Sequence, residues 1–326
     1  MTALLRSADW LPVIRDEYLD SYVARGGSSV KFAVPLGDGE TPVIRAEIER
    51  LARDSGHIFV SVDAASTRVH MIDQVFFSVA EQIPWRQTVR SVIGRRVTSL
   101  GLAMPPDTAD GPLFEAIAHA NELDPDYVQL ELRRKVVQQV FREYRLAKDF
   151  RVAMTQLILA ELSGGHEADT VFDTLRDWLT GANRTVSAVK PFQIYTRIHR
   201  ANARFCLESA VSWVSLAGHA GTTIVMDVSR LGLARNPRDD RIFYSRAAAV
   251  DAYEVLRQFI DTSDRLTSCM IIVLAGREFL DDDPGSRGLG GYAALKFRIF
   301  DEVRDRRIVN PFASLVRLDA GEGMGV

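Results

Sequence analysis

The sequence of 326 residues lacks most of what would mark a metal site, a disulfide framework or a nucleophilic enzyme. Its two cysteines, Cys206 and Cys269, are far apart and have no CxxC or CxxH surroundings, so two reduced, buried thiols are expected. The six histidines (His57, His70, His119, His166, His199, His219) form no HxH or HxxxH pair, which argues against a histidine metal site. No serine or cysteine sits in a GxSxG setting. No stretch approaches the roughly 18 uninterrupted apolar residues of a membrane span. The start, MTALLRSADW, is charged by Arg6 and has no signal-peptide core. A cytoplasmic location is expected. An excess of positive charge is missing as well: Lys and Arg number 40 against 43 Asp and Glu, a net charge of −3. Nucleic-acid binding would therefore need a local patch.

What is present is an ordinary globular composition, 47% hydrophobic and 25% charged, in a chain long enough for one α/β domain with an insertion. Four short β-type runs stand out: Val30 to Val34, His57 to Val62 ending at Asp63, Thr222 to Met226 ending at Asp227, and Cys269 to Ala275. A weaker fifth is Ser314 to Leu318. The third and fourth are nearly continuous in apolar residues, as strands covered on both faces are, so a parallel sheet is predicted. Helical spacing precedes the fourth run (Val250, Tyr253, Leu256, Ile260). Between about Pro84 and Ala217 the periodicity is almost wholly helical. There Leu132, Val136, Val140 and Ala147 share one expected helix face, with Arg134, Phe141, Arg145 and Lys148 opposite. The expected organisation is a core from residues 1–83 and 218–320, a helical insertion at 84–217 and a loose tail at 321–326.

The first run leads into Pro35-Leu36-Gly37-Asp38-Gly39-Glu40-Thr41-Pro42 and then an apolar-periodic helix. Strand, glycine loop, hydroxyl residue and helix are the context of a Walker A phosphate loop, whose backbone N–H groups cradle phosphates while a lysine reaches their oxygens. Gly39 and Thr41 stand at the last glycine and hydroxyl positions. The opening glycine is missing, the loop is one residue short, and Glu40 stands where the lysine belongs. At an effective dielectric near 20, a unit pair about 4 Å apart is worth roughly 4 kcal/mol, so this charge reversal removes about three or more orders of magnitude in affinity. Turn and capping chemistry also explains the segment: Gly37 and Gly39 permit a tight turn, Thr41 caps the helix and Pro42 is its first residue.

The run Thr222 to Asp227 has the form of a Walker B strand, and Asp227 is the candidate for a magnesium ion held through water. The following position, often a glutamate that orients the attacking water, is Val228. Loss of such a base costs about 10²–10⁴-fold in rate.

Together with other segments, these residues make the chain resemble the P-loop ATP-binding proteins of BREX-type phage-defence systems, the BrxD-like family, from about Tyr18 to Leu318. The markers are Tyr22 to Phe32 (YVARGGSSVKF), Ile194 to Arg204 (IYTRIHRANAR) with Ala217 to Gly221, Leu274 to Pro284, and Gly291 to Leu295 with Asn310 to Leu318. The resemblance implies an α/β, AAA/STAND-like P-loop NTPase core with a parallel sheet and a large all-helical insertion. It also implies ATP and magnesium, and work beside a helicase and a DNA-modifying enzyme, with DNA reached directly or through the complex. The family's lysine falls on Glu40, its second acid on Val228 and its threonine after the fourth strand on Arg277. The expectation is a pseudo-ATPase: a non-hydrolysing structural or regulatory subunit with no catalytic residues. Its degenerate nucleotide-facing residues are Gly37, Gly39, Glu40, Thr41, Asp227 and Arg277.

Two other readings stand beside it. One is a working ATPase in which Lys31 or Lys190 replaces the lost charge. The other is a DNA-binding module using Arg134, Arg145 and Lys148, together with Arg86, Arg90, Arg95 and Arg96, on the insertion. Arg304, Arg306 and Arg307 are candidates for action in trans on a neighbour's nucleotide, were the protein an oligomer.

Overall fold

Each of the five apolar runs forms a strand in the computed structural model, which describes residues 4–37, 39–106, 112–300 and 310–319. In chain order the first elements are β1 (Leu4–Arg6), α1 (Ser7–Val13), β2 (Ser28–Pro35), α2 (Glu40–Asp54), β3 (His57–Asp63) and α3 (Ile72–Gln82). Helices follow: α4 (Trp85–Ser99), α5 (Leu113–Ala120), α6 (Pro125–Leu132), α7 (Gln138–Phe141), α8 (Lys148–Ser163), α9 (Gly165–Thr180), α10 (Val186–Val189) and α11 (Ala203–Leu216). The chain then returns to β4 (Gly221–Asp227), α12 (Arg246–Asp261), β5 (Cys269–Leu274), α13 (Ala293–Ile299) and β6 (Leu315–Asp319). It divides into two units, one from residues 1–79 with 219–326 and one from residues 80–218. They are called here the sheet unit and the helical unit.

The sheet unit holds six strands in the order β1-β6-β2-β5-β4-β3, all parallel. One sheet face presents Ala33, Phe59, Val225, Met270, Ile272, Leu274, Val316 and Leu318. Against it pack Trp10 and Ile14, Leu19 and Val23 of the wide-turned segment Ile14–Val23, and Ile44, Ile48 and Leu51 of α2. On β2 the next residue, Phe32, points the other way, stacking on Phe279 at 5.8 Å, and Phe279 meets Tyr253 of α12 at 5.7 Å. Helices on both faces explain why β4 and β5 read as unbroken apolar runs. The sequence gives no warning of β1, which has three residues, too few for any periodicity, and joins the sheet edge by pairing Leu4 with Arg317.

In the helical unit the described residues form no strand. Its core is tied by indoles: Trp85 Nε1 donates to Ala80 O at 2.8 Å, and Trp213 Nε1 donates to Thr88 Oγ1 at 3.0 Å. Trp85 also meets Phe150 of α8 edge-on at 6.1 Å. The expected helix face carrying Arg134, Arg145 and Lys148 is not continuous. The helical run beginning at Pro125, where Asp124 caps by accepting from Tyr127 N, stops at Phe141. Leu146 turns inward to 2% exposure, Ala147 N donates to Ser209 Oγ at 2.8 Å, and α8 begins at Lys148. Burial of Leu146 decides the break, which no glycine or proline announces.

Both cysteines are buried, Cys206 in α11 and Cys269 in β5, and burial pushes each thiol up to about 12. No described helix is long and apolar enough to cross a membrane.

Candidate functional site at the carboxyl edge of the sheet

Parallel strands place all their C-terminal ends along one edge. From β2 the chain crosses to β3 on one side, and from β5 it returns across β2 to β6. The reversal falls between the neighbours β2 and β5, and a crevice at such a switch point is where α/β sheets bind ligands. Gly37, Gly39, Glu40 and Thr41 follow β2, Arg277 follows β5, and Asp227 closes β4. Registration aligns these ends: Ala33 pairs with Leu274, and Leu274 with Asp227. Two strand spacings, about 10 Å, separate β2 from β4.

Leu36 N donates to Leu318 O at 2.9 Å, holding the start of the loop to β6. Gly39 is the N-cap of α2 with φ +82°, the left-handed region that favours glycine. The helix opens at Glu40, and Thr41 and Pro42 lie inside its first turn. The expectation that Thr41 caps and Pro42 comes first is thereby corrected, since no side chain caps this end. The positive φ at Gly39 starts the helix earlier, and a proline is tolerated in a first turn because its N–H would be unused.

Glu40 N donates to Gly37 O, and the Glu40 side chain curls back over the same glycine. A methyl group at Gly37 would collide with the Oε1, Cδ and Cγ of Glu40. Glu40 Oε2 is buried. The loop thus holds its own carboxyl group at the positive end of α2, where a helix terminus favours an anion. Asp38 lies outside the described residues.

Asp227 is also engaged locally. Its Oδ1 accepts from Ser229 N at 3.0 Å and Ser229 Oγ at 2.7 Å, and its carbonyl accepts from Ala64 N at 2.9 Å. Val228 is core, 3% exposed, with its N–H donated to Leu274 O. Arg277 is exposed and opens a tight turn, Arg277–Leu280, anchored by buried Phe279.

Two acids at this edge lay outside the expected set. Asp63 pairs with Asp227 in register and caps its own turn through Oδ1 to Ala65 N at 2.7 Å. The signal was present, since two apolar runs of similar length both end in aspartate. Glu278 packs over Gly276 and Gly232, where an added Cβ would meet its side chain at 2.8 Å in each case. No sequence pattern marks it.

Lys31 lies four residues before the end of β2, about 13 Å along the strand. Its Nζ donates to Phe312 O and Ala313 O and lies 4.7 Å from the centroid of the Tyr18 ring. Lys190 belongs to the helical unit and is exposed in a short turn. Arg304, Arg306, Arg307 and the tail 321–326 lie outside the described residues. On the helical unit, Arg134 pairs with Glu131 at 3.1 Å and Arg145 with Glu143 at 2.8 Å. Arg86 pairs with Asp169 at 2.7 Å and Arg90 with Glu161 at 2.5 Å. Arg95 is packed beside Gly218, and Lys148 opens α8.

Compared with known families, residues 106–321 match the profile described as BREX system ATP-binding protein BrxC/D. The chain belongs to this family. The match takes in β4, β5, β6 and most of the helical unit, and it begins after the glycine loop. No curated protein and no solved structure matches.

The family's name calls for a nucleotide. A magnesium-bound triphosphate needs a cation and open N–H groups at the loop, and a carboxylate free to face the metal's waters. In this BREX-family chain an acid folds into the loop, over Gly37, and Asp227 Oδ1 is held by Ser229. The loop residues do not fit a conventional magnesium nucleotide.

Proposed function

We propose that this BREX-family chain is a non-hydrolysing structural or regulatory subunit of a cytoplasmic anti-phage defence complex, built on a degenerate AAA/STAND-like P-loop core. The observation that carries the reading is the Glu40 side chain turned in over Gly37, where a phosphate loop keeps open space. The placement of β5 between the loop-bearing β2 and the acid-terminated β4 supports the AAA/STAND-like assignment. Buried Val228 supports the absence of a base, because a side chain packed in the core reaches no attacking water. The competing reading, an active ATPase with a borrowed lysine, is disfavoured for Lys31 by its bonds to two backbone carbonyls.

In this reading the preserved turn at Gly37 and Gly39 serves architecture and the partners are other proteins of the defence system, among them a helicase and a DNA-modifying enzyme. Phosphate release from ATP by the purified chain tests it, with Glu40→Lys measured alongside. Both proteins are expected at the buffer rate, since the substitution restores a charge and supplies no base. Turnover by the native chain that vanishes in Asp227→Ala would overturn the proposal.

A further inference from the structure

The excess of acid over base in the whole chain hides one strongly segregated region. From Trp178 to Leu207 there is no aspartate or glutamate, while Arg184, Lys190, Arg197, Arg200 and Arg204 supply five positive charges. Most of the cations first suspected on the helical unit are neutralised by adjacent acids. Here Lys190, Arg197 and Arg200 are exposed and make no ion pair among the described residues.

The middle of this region is a strap without regular secondary structure, residues 194–199, closed by a turn at residues 200–202, and hydrogen bonds tie it down. Ile194 and Ile198 are buried anchors, at 0% and 5% exposure. Trp178 Nε1 donates to Thr196 O at 3.1 Å, and Thr196 Oγ1 donates to Asp149 in the first turn of α8. The Asn202 amide fixes the far end, accepting from His199 N at 2.8 Å and donating to Arg197 O at 3.1 Å. Around these two buried isoleucines, Tyr195, Thr196, Arg197, His199 and Arg200 are exposed. Tyr195 is 63% exposed and Phe205, at the start of α11, is 50% exposed.

We infer that this strap binds single-stranded nucleic acid. A strap whose exposed cations make no ion pair among the described residues, and whose neighbouring acid Asp149 accepts from Thr196, suits a chain of phosphates, and the exposed rings of Tyr195 and Phe205, close to those cations in sequence, supply faces on which unpaired bases stack. A duplex offers the phosphates but keeps its bases stacked inside, so Tyr195 and Phe205 would gain nothing from it. An acidic protein would satisfy the cations without using the rings. The inference is independent of the phosphate loop, which lies in the other unit.

Fluorescence anisotropy of the full chain with a labelled mixed-sequence single strand tests it, against the matched duplex and with polyglutamate as competitor. The single strand is expected to bind at least tenfold tighter than the duplex, and polyglutamate is expected to compete poorly. Arg197→Gln with Arg200→Gln should weaken binding about tenfold or more and reduce the salt slope by about 1.4, at roughly 0.7 per phosphate contact on a single strand. Tyr195→Ala should weaken binding about fivefold or more and leave the salt slope unchanged. Arg134→Gln with Arg145→Gln should bind as the native chain does, and unchanged melting temperatures confirm that the variants are folded. No binding at low salt, binding indifferent to the strap substitutions, equal affinity for the duplex, or efficient competition by polyglutamate would each overturn the inference.

Discussion

Glu40 and Gly37 touch across the turn that opens α2: the carboxyl end of one side chain lies where the other residue has no side chain to obstruct it. An acid in the first turn of a helix is favoured by the helix dipole, and a lysine there is disfavoured by a similar amount. Glu40→Lys should therefore lower stability slightly, by up to about 1 kcal/mol, read as a small fall in the urea midpoint with an unchanged slope. A gain in stability would mean that the carboxyl group is held at the loop against its preference.

Gly39 has φ +82° and nothing within 4 Å of the position a Cβ would take, so the barrier to substitution is backbone strain alone. Gly39→Val is expected to cost about 1–3 kcal/mol. Gly39→Asn should cost distinctly less, because asparagine tolerates the left-handed region better. Equal losses in denaturant melts would point to a crowding effect and against this account.

Val228 stands where many ATPases carry their base, yet it is packed at 3% exposure. Placing glutamate there would bury a carboxyl group with no partner prepared for it, a penalty of several kcal/mol. Val228→Glu is expected to lower the melting temperature by about 5 °C or more. A Val228→Glu chain as stable as the native one would show that this residue can turn outward, and the argument from its burial would fail.

His57 gives the sheet unit a pH dependence of definite sign. Its Nε2 lies 3.2 Å from Leu19 O, so that nitrogen carries the hydrogen, and its Nδ1 is left to accept from Thr223 Oγ1 at 3.1 Å. Burial lowers its pKa below the usual histidine value, opposed by the Leu19 bond and by Asp20, and His219 nearby is lowered by burial too. Above about pH 6.5 both folded and unfolded chains hold these rings neutral, and stability is unaffected. As pH falls below that value the unfolded chain takes up protons that the fold resists, so stability declines until the lowered folded pKa is passed. Urea melts at pH 7.5, 6.5 and 5.5 should show this loss, and His57→Gln should show a smaller one. A slope unchanged by His57→Gln would assign the effect elsewhere.

The strands were readable because β4 and β5 lie between helices and must be apolar on both faces. Asp227 and Gly39 were readable because a strand end and a tight turn constrain residue type locally. The rest depended on contacts between distant segments. The hold of Lys31 on the carbonyls of Phe312 and Ala313 joins residues some 280 positions apart and leaves no local pattern. The break after Phe141 is set by the burial of Leu146, so a periodicity count carries the helix straight through it. The inward turn of Glu40 is a rotamer, and sequence does not encode a rotamer apart from its surroundings.

A glycine loop that no longer forms a nucleotide site would leave the stability of this BREX-family chain indifferent to ATP. Thermal unfolding of the full chain with and without millimolar Mg-ATP measures this most directly, because any ligand bound by the folded state raises the midpoint by mass action. No shift is expected, either for the native chain or for Asp227→Ala. A rise of several degrees in the native chain, lost in Asp227→Ala, would contradict it.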